Sequence, residues 1–140
     1  FRQEVIYSTK YLKIINDSKS TTLSSTIPFL ETNEKVLWIL GGLFKKGDEF
    51  NLKKKYYKNL EAYIYGKDRN IFYKLFKNKF KATLSKDLKS SIKLIPKLKY
   101  VRKKITILFS PSAASFDQYR NFEDRGEKFN MLIKRYLSIK

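Results

Sequence analysis

Residues 106–126, with the sequence TILFSPSAASFDQYRNFEDRG, contain the pattern that decides the fold of this chain. The stretch begins with apolar and β-branched residues, stops at Ser110-Pro111, and passes through small residues to a polar cluster and a helical pattern. This order is typical of a buried parallel strand that leads through a loop into a helix N-terminus. Open α/β sheets bind ligands at the carboxyl ends of their strands, and helix N-termini favour anions. The stretch therefore predicts a ligand-binding loop at that edge.

Strand and helix patterns alternate along the whole chain. Apolar runs predict strands at residues 4–7, 12–15, 35–40, 62–66, 80–84 and 105–109. Helical spacing of apolar residues predicts helices at about 22–31, 51–60, 68–77, 87–98 and 123–137. Pro28 is expected to bend or weaken the first of these helices. The alternation indicates a Rossmann-like, three-layer α/β domain with a mostly parallel sheet and helices on both faces.

Length and composition limit the possible chemistry. The 140 residues fit one compact domain over positions 1–140, because no repeat or low-complexity linker divides them. The chain has no Cys and no His, which excludes disulfides, thiolate metal sites and imidazole bases. No apolar run approaches the roughly 20 residues that a membrane span needs. Together with a first residue of Phe1 and no signal-peptide pattern, this predicts an excised domain of a cytoplasmic protein.

The formal net charge of +18 raises a second possibility, a basic nucleic-acid-binding module. The content of 11 Phe and 10 Tyr would supply rings for base stacking. However, the lysines are spread along the chain at helical surface spacing, and most large apolar residues fall within the predicted strands and helices. We therefore expect no specific nucleic-acid binding, although the positive potential would attract anionic substrates in general.

Polar clusters follow three of the predicted strands. Residues 16–21 combine an acid, a cation and hydroxyls before a helix, which is also what ordinary N-capping requires. Residues 41–47 contain paired glycines, which allow close backbone approach, and nearby lysines that suit a carboxylate or phosphate, or form a solvated turn. Residues 110–122 offer backbone amides, the Ser115 hydroxyl and two Phe rings, or form a packed loop that caps the last helix. Three such clusters after successive strands favour one shared site.

These clusters resemble, in order, motifs of the Mur ligases, and within them of the branch that adds D-glutamate to UDP-N-acetylmuramoyl-L-alanine. The string DSKST at residues 17–21 resembles the family motif D-S-K-A-T, and ILGG at 39–42 resembles its L-G-G-x-x-K. The stretch 108–126 resembles L-L-S-P-A-C-A-S-F-D-Q-F-x-N-F-E-x-R-G, and RQE at 2–4 resembles the H-R-x-E at the start of the third domain. The resemblance covers the chain from end to end, and its last motif is highly specific to this branch.

Several positions depart from the family pattern. Phe1, Thr22, Ser24 and Ala113 stand where the family usually has His, Asn, Gly and Cys. An extra residue lies between Gly42 and Gly47, so that Lys45 and Lys46 compete for the place of the substrate-binding lysine. Spacing from the glycines favours Lys45.

The resemblance implies a third, closing domain that holds D-glutamate, of an enzyme whose other two domains bind the UDP part and ATP with Mg²⁺. No P-loop motif occurs in this chain, so the isolated chain is expected to be inactive and to hold no metal itself. The family reaction forms an acyl phosphate from ATP and UDP-N-acetylmuramoyl-L-alanine, which the D-glutamate amine then attacks. The complete enzyme is expected to be a monomer in peptidoglycan biosynthesis.

The resemblance also assigns roles to single residues. The D-glutamate carboxylates would be held by the Lys45 ammonium, the Thr21 and Ser115 hydroxyls and the Phe116 backbone, with Phe122 lining the pocket. Asp17 would accept from the ribose hydroxyls of the nucleotide, and Arg2 would lie near its ribose and phosphates. Lys19 would assist catalysis on the acyl-phosphate side. Catalysis would then come from positioning and charge stabilisation rather than from a covalent nucleophile.

Overall fold

A computed structural model of the chain describes residues 3–95 and 103–137. Its strands are β1 (Glu4–Ser8), β2 (Leu12–Asn16), β3 (Lys35–Gly41), β4 (Leu60–Tyr65), β5 (Lys81–Leu84) and β6 (Ile105–Phe109). Its α-helices are α1 (Leu23–Leu30), α2 (Arg69–Phe76), α3 (Leu88–Lys93) and α4 (Phe122–Tyr136). Strands and helices thus alternate as the sequence predicts. None of the helices within the described residues is long and apolar enough to cross a membrane.

The strands form one six-stranded sheet in the order β1-β2-β6-β3-β4-β5. All neighbours are parallel except β1, which pairs antiparallel with β2. The strand β6 enters between β2 and β3, and its Phe109 is level with both Asn16 and Ile39. The prediction of a mostly parallel sheet is confirmed.

Side chains of β3 alternate between two apolar cores, one on each face of the sheet. Val36, Trp38 and Leu40 pack with residues of α1 and α2 on one face. Leu37 and Ile39 pack with residues of α3 and α4 on the other. This period of two, with residues buried on both faces, explains why a central parallel strand has a continuous apolar sequence. The helices therefore cover both faces, as expected.

Two predicted helices are shorter than the sequence suggested. Residues 51–60 contain a 3₁₀ helix at Lys54–Asn59 rather than an α-helix, because Leu60 already belongs to β4 and pairs with Val36. The helix predicted to reach residue 98 ends at Lys93, and positions 96–98 lie outside the described residues. Pro96 accounts for the early end, since a proline disfavours helical backbone at the residue before it. Pro28 lies inside α1 without ending it.

Candidate functional site

The three polar clusters follow β2, β3 and β6, which are adjacent strands in the centre of the sheet. Parallel strands present their carboxyl ends at the same edge, so residues 16–21, 41–47 and 110–122 meet there. The last strand in the chain, β6, lies between β2 and β3, and its position there makes this edge a topological switch point of the sheet. The edge is therefore the candidate site.

Backbone hydrogen bonds join the second cluster to the third. The Gly41 N–H donates to the Pro111 carbonyl at 3.1 Å, and Leu43 and Ala114 exchange bonds of 2.9 and 3.1 Å. Gly41 has φ +152°, and a Cβ there would overlap with the Tyr65 carbonyl oxygen. A Cβ on Gly42 would overlap with the Ala114 carbonyl oxygen. The paired glycines thus allow a close approach of loops, as predicted.

Buried hydroxyls join the first cluster to the third. The Thr26 hydroxyl, from α1, shares hydrogen bonds with those of Ser110 at 2.5 Å, Ser112 at 2.6 Å and Ser20 at 3.0 Å. The Ser110 hydroxyl also donates to Asp17 Oδ2 at 3.0 Å. All five residues are buried, so their polar groups satisfy one another instead of facing water.

Carboxylates fix the remaining connections of the second cluster. Asp48 Oδ2 accepts from the Leu23 N–H at 2.6 Å, which joins this loop to the start of α1. Asp68 Oδ2 accepts from the Phe44 N–H at 2.8 Å, so the side chain at the N-cap position of α2 bonds the loop instead of its own helix. These two hydrogen bonds hold the second cluster to the starts of α1 and α2.

A fully buried guanidinium lies beneath the first and third clusters. Arg125, in the first turns of α4, donates from Nη2 to the Ser18 and Ser20 carbonyls at 2.7 and 3.3 Å, and from Nη1 to the Ala113 carbonyl at 2.8 Å. Its Nε donates to the Ser18 hydroxyl at 3.2 Å. Burial lowers the pKa of Arg125, and the nearby Tyr65 opposes this effect. Sequence reasoning missed this residue, although its place in the final motif was a signal.

Two buried polar atoms near Arg125 have no hydrogen-bond partner among the described residues: the Tyr65 hydroxyl and Asp117 Oδ1. The other carboxylate oxygen of Asp117 accepts from the Lys67 N–H at 3.0 Å. Burial raises the pKa of Tyr65, and the positive charge of Arg125 partly opposes that rise. The hydroxyl therefore stays protonated at neutral pH.

The predicted site residues divide by exposure. Lys19, Thr21, Lys45 and Lys46 are exposed at the edge, and Phe116 has 71% of its surface exposed. Ser115 is buried, with 3% of its surface exposed. The structure thus places exposed cations and a hydroxyl around one loop edge, an arrangement that suits an anionic ligand.

Two of the remaining predicted residues, Asp17 and Phe122, also lie at this edge. Asp17 is 4% exposed and accepts at Oδ1 from the Gln3 N–H at 3.1 Å. Phe122 is half-buried at the start of α4, with Lys19 Nζ 6.0 Å from its ring centroid. Arg2 lies outside the described residues. Within the described ranges, no group of three or more acidic, His or Cys side chains is arranged to hold a metal ion.

A cavity of about 470 Å³ lies between α3 and α4. Its lining includes Lys89, Lys128, Arg135 and Tyr136, and none of the predicted site residues. The candidate site is therefore an open edge formed by loops rather than this groove.

The relatives of the chain have one description in common. The chain is 34% identical over 139 residues to the UDP-N-acetylmuramoylalanine–D-glutamate ligase of Hydrogenobaculum sp. (strain Y04AAS1). This match covers 99% of the chain and 33% of the relative. The chain is 38% identical over 138 residues to the ligase of the same name from Buchnera aphidicola subsp. Schizaphis graminum, covering 95% of the chain and 30% of the relative. The chain thus spans about a third of the length of these proteins. No family model matches the chain.

Among solved structures, the chain resembles the UDP-N-acetylmuramate–alanine ligase MurC from Thermotoga maritima, with a TM-score of 0.62 and 18% identity. The match covers 99% of the chain and 30% of that protein, and it supports the fold. The sequence matches are consistent with the C-terminal domain of a Mur ligase. The relatives in these matches are named UDP-N-acetylmuramoylalanine–D-glutamate ligases.

Proposed function

We propose that this chain is the domain that holds D-glutamate, and closes over ATP, in the ligase that joins D-glutamate to UDP-N-acetylmuramoyl-L-alanine. The observation that carries the proposal is the meeting of three family motifs at one edge of the sheet, with Lys45, Thr21 and Ser115 contributed by three different loops. The names of the relatives support the choice of amino acid. The proposed setting is the cytoplasm, and the proposed enzyme is a monomer.

The residues at this edge suit a substrate with two carboxylates. A carboxylate is bound well by a cation, hydroxyls and backbone N–H groups, because each supplies a charge-assisted hydrogen bond. Lys45 would supply the cation, Thr21 and Ser115 the hydroxyls, and the Phe116 backbone an N–H, with the Phe122 ring beside them. Holding the substrate in this way orients its amine for attack on an acyl phosphate.

The nucleotide side of the proposal rests on Asp17, Lys19 and Arg2. Lys19 is exposed next to Phe122 and would meet the phosphate of the activated carboxylate. Asp17 and Arg2 would contact the nucleotide when the domain closes. Mg²⁺, which neutralises phosphate charge when bound, would be held mainly by a separate ATP-binding domain of the complete ligase.

The alternative of a basic nucleic-acid-binding module is not favoured by the comparisons, which return ligases. The large apolar residues also lie mostly in the two cores and are not available for base stacking. The net charge of +18 is compatible with attraction of anionic substrates in general.

A kinetic comparison of two neighbouring lysines tests the proposal. In the full-length ligase, Lys45→Ala should raise the KM for D-glutamate roughly 10- to 150-fold, since a hydrogen bond to a charged group contributes about 1.5–3 kcal/mol. The KM for ATP should change little. Lys46→Ala is the matched control and should leave both constants near their original values. If the two variants exchange these results, Lys46 is the residue that binds D-glutamate. If neither variant raises the KM for D-glutamate, the proposal is wrong.

The isolated 140-residue chain provides a second test. We expect it neither to hydrolyse ATP nor to form the amide, because it contains no P-loop motif. A phosphate-release assay with and without D-glutamate measures this. Saturable ATP hydrolysis by the purified chain would contradict the proposed role as a closing domain.

A further inference from the structure

Arg125 is unusual among the described residues because it is the one basic side chain that is completely buried. None of its four hydrogen bonds goes to a carboxylate; three go to backbone carbonyls and one to the Ser18 hydroxyl. A buried charge with no carboxylate among its hydrogen-bond partners is costly, and the nearby Asp117 carboxylate offsets only part of the cost of burial, so an apolar side chain would anchor α4 at lower cost. Phe129 and Ile133 of the same helix already supply such apolar anchoring.

The carbonyls that Arg125 contacts lie next to the proposed substrate contacts. Those of Ser18 and Ser20 belong to the loop that presents Thr21, and that of Ala113 lies two residues before Ser115. The planar guanidinium thus spans the gap between the two loops in a fixed geometry. A lysine has a single point of charge and cannot reproduce this spacing.

We propose that Arg125 is a positioning residue for the amino-acid substrate: it sets the distance between the loop at residues 17–21 and the loop at residues 110–116. Thr21 and Ser115 can then contact the same substrate molecule. This inference rests on the proposed function and adds to it a residue that does not itself touch the substrate. It also explains why a guanidinium, rather than an apolar side chain, occupies this buried position.

The test uses steady-state kinetics of the full-length ligase with D-glutamate and ATP varied separately. Arg125→Lys should raise the KM for D-glutamate about 10-fold or more while changing the KM for ATP less than about 2-fold, because two substrate contacts depend on loop spacing. Combining Arg125→Lys with Ser115→Ala should raise that KM little beyond the Arg125→Lys value. Such non-additivity is expected when one residue acts through another.

Two controls separate positioning from general stability. Ile133→Val removes buried volume from the same helix but changes neither loop. It should lower the melting temperature about as much as Arg125→Lys does and still leave the KM for D-glutamate unchanged. Arg69→Lys replaces another arginine that donates to a carbonyl, that of Gly66 at 3.0 Å, within a single local segment. It should also leave this KM unchanged.

The outcomes are distinguishable. If Lys45→Ala and Ser115→Ala both leave the KM for D-glutamate unchanged, the proposed function fails and this assignment fails with it. If those variants raise the KM but Arg125→Lys does not, or does so additively with Ser115→Ala, only the positioning role is overturned. If Arg125→Lys does not fold, Ser18→Ala decides: it removes one acceptor of the guanidinium, and should raise the KM for D-glutamate about 2- to 5-fold. An unchanged KM in that variant overturns the role.

Discussion

The loop edge of the sheet contains two regions that differ in exposure although the same motifs supply both. The buried web consists of residues whose side chains hydrogen-bond to one another or to each other's backbone: Asp17, Ser18, Ser20, Thr26, Ser110, Ser112 and Arg125. The exposed rim consists of side chains that face outward above them: Lys19, Thr21, Lys45, Lys46 and Phe116. Web and rim residues alternate along residues 18–21. A short polar motif therefore contains structural and ligand-facing positions side by side.

This difference predicts two kinds of mutational effect. Changes in the web should lower the free energy of unfolding, because buried polar groups that lose a partner are costly, and at Arg125 and Ser18 they should also raise the KM for D-glutamate. Changes in the rim should leave stability nearly unchanged and alter ligand binding instead, since surface substitutions usually shift stability by less than about 0.5 kcal/mol. A rim variant that loses as much stability as a web variant would show that the two regions do not differ in this way.

The largest effect is expected from a glycine beneath the loops. Gly41→Ala should lower the free energy of unfolding by roughly 2–4 kcal/mol, because φ is unfavourable and the new Cβ would meet the Tyr65 carbonyl oxygen. Gly47 is the matched control in the loop that follows β3, with φ +85° and open space around the position that a Cβ would take. Gly47→Ala should cost only about 1–2 kcal/mol of backbone strain. Urea unfolding of the chain measures both, and equal losses would show that the close contact at Gly41 adds nothing to the cost of its backbone conformation.

A smaller effect is expected at the hydroxyl that connects the web. Thr26→Val keeps the side-chain shape but removes a hydrogen-bond partner from Ser20, Ser110 and Ser112, which should cost about 1–3 kcal/mol of stability. The control is Ser24→Ala in the same helix, whose exposed hydroxyl contacts only the Thr22 hydroxyl in the described structure. Thermal unfolding of both variants gives the comparison. A Thr26→Val variant as stable as the original would show that the web contributes little.

The smallest change in stability is expected at Phe116 on the rim. Because 71% of its surface is exposed, Phe116→Ala should alter the free energy of unfolding by less than about 0.5 kcal/mol. Calorimetry of the variant measures this directly. A loss of stability comparable to that of Thr26→Val would show that Phe116 belongs to the structural region rather than to the rim.

The fold was largely predictable from the sequence, and the two failures concern helices that are shorter than expected. The strand pattern of Lys35–Gly41 identified a central strand because its apolar run is continuous and fills both cores. The helix expected at 51–60 was wrong because pairing of Leu60 with β3 takes that residue into a strand. The residues of the rim could be proposed from the sequence by comparison with family motifs. The structural roles of Arg125, Asp48 and Asp68 could not be predicted, because their hydrogen-bond partners lie far away in the sequence.

The sequence by itself determined the alternation of strands and helices, the polar loops after three strands, and the glycines that permit close contact between loops. These features depend on local conformational preference and on burial patterns with a period of a few residues. Only the tertiary structure decided that β6 lies between β2 and β3, and hence that the three loops meet at one edge. It also decided which motif residues are buried, since a hydroxyl or a guanidinium can lie inside only where distant backbone and side-chain groups satisfy its hydrogen bonds.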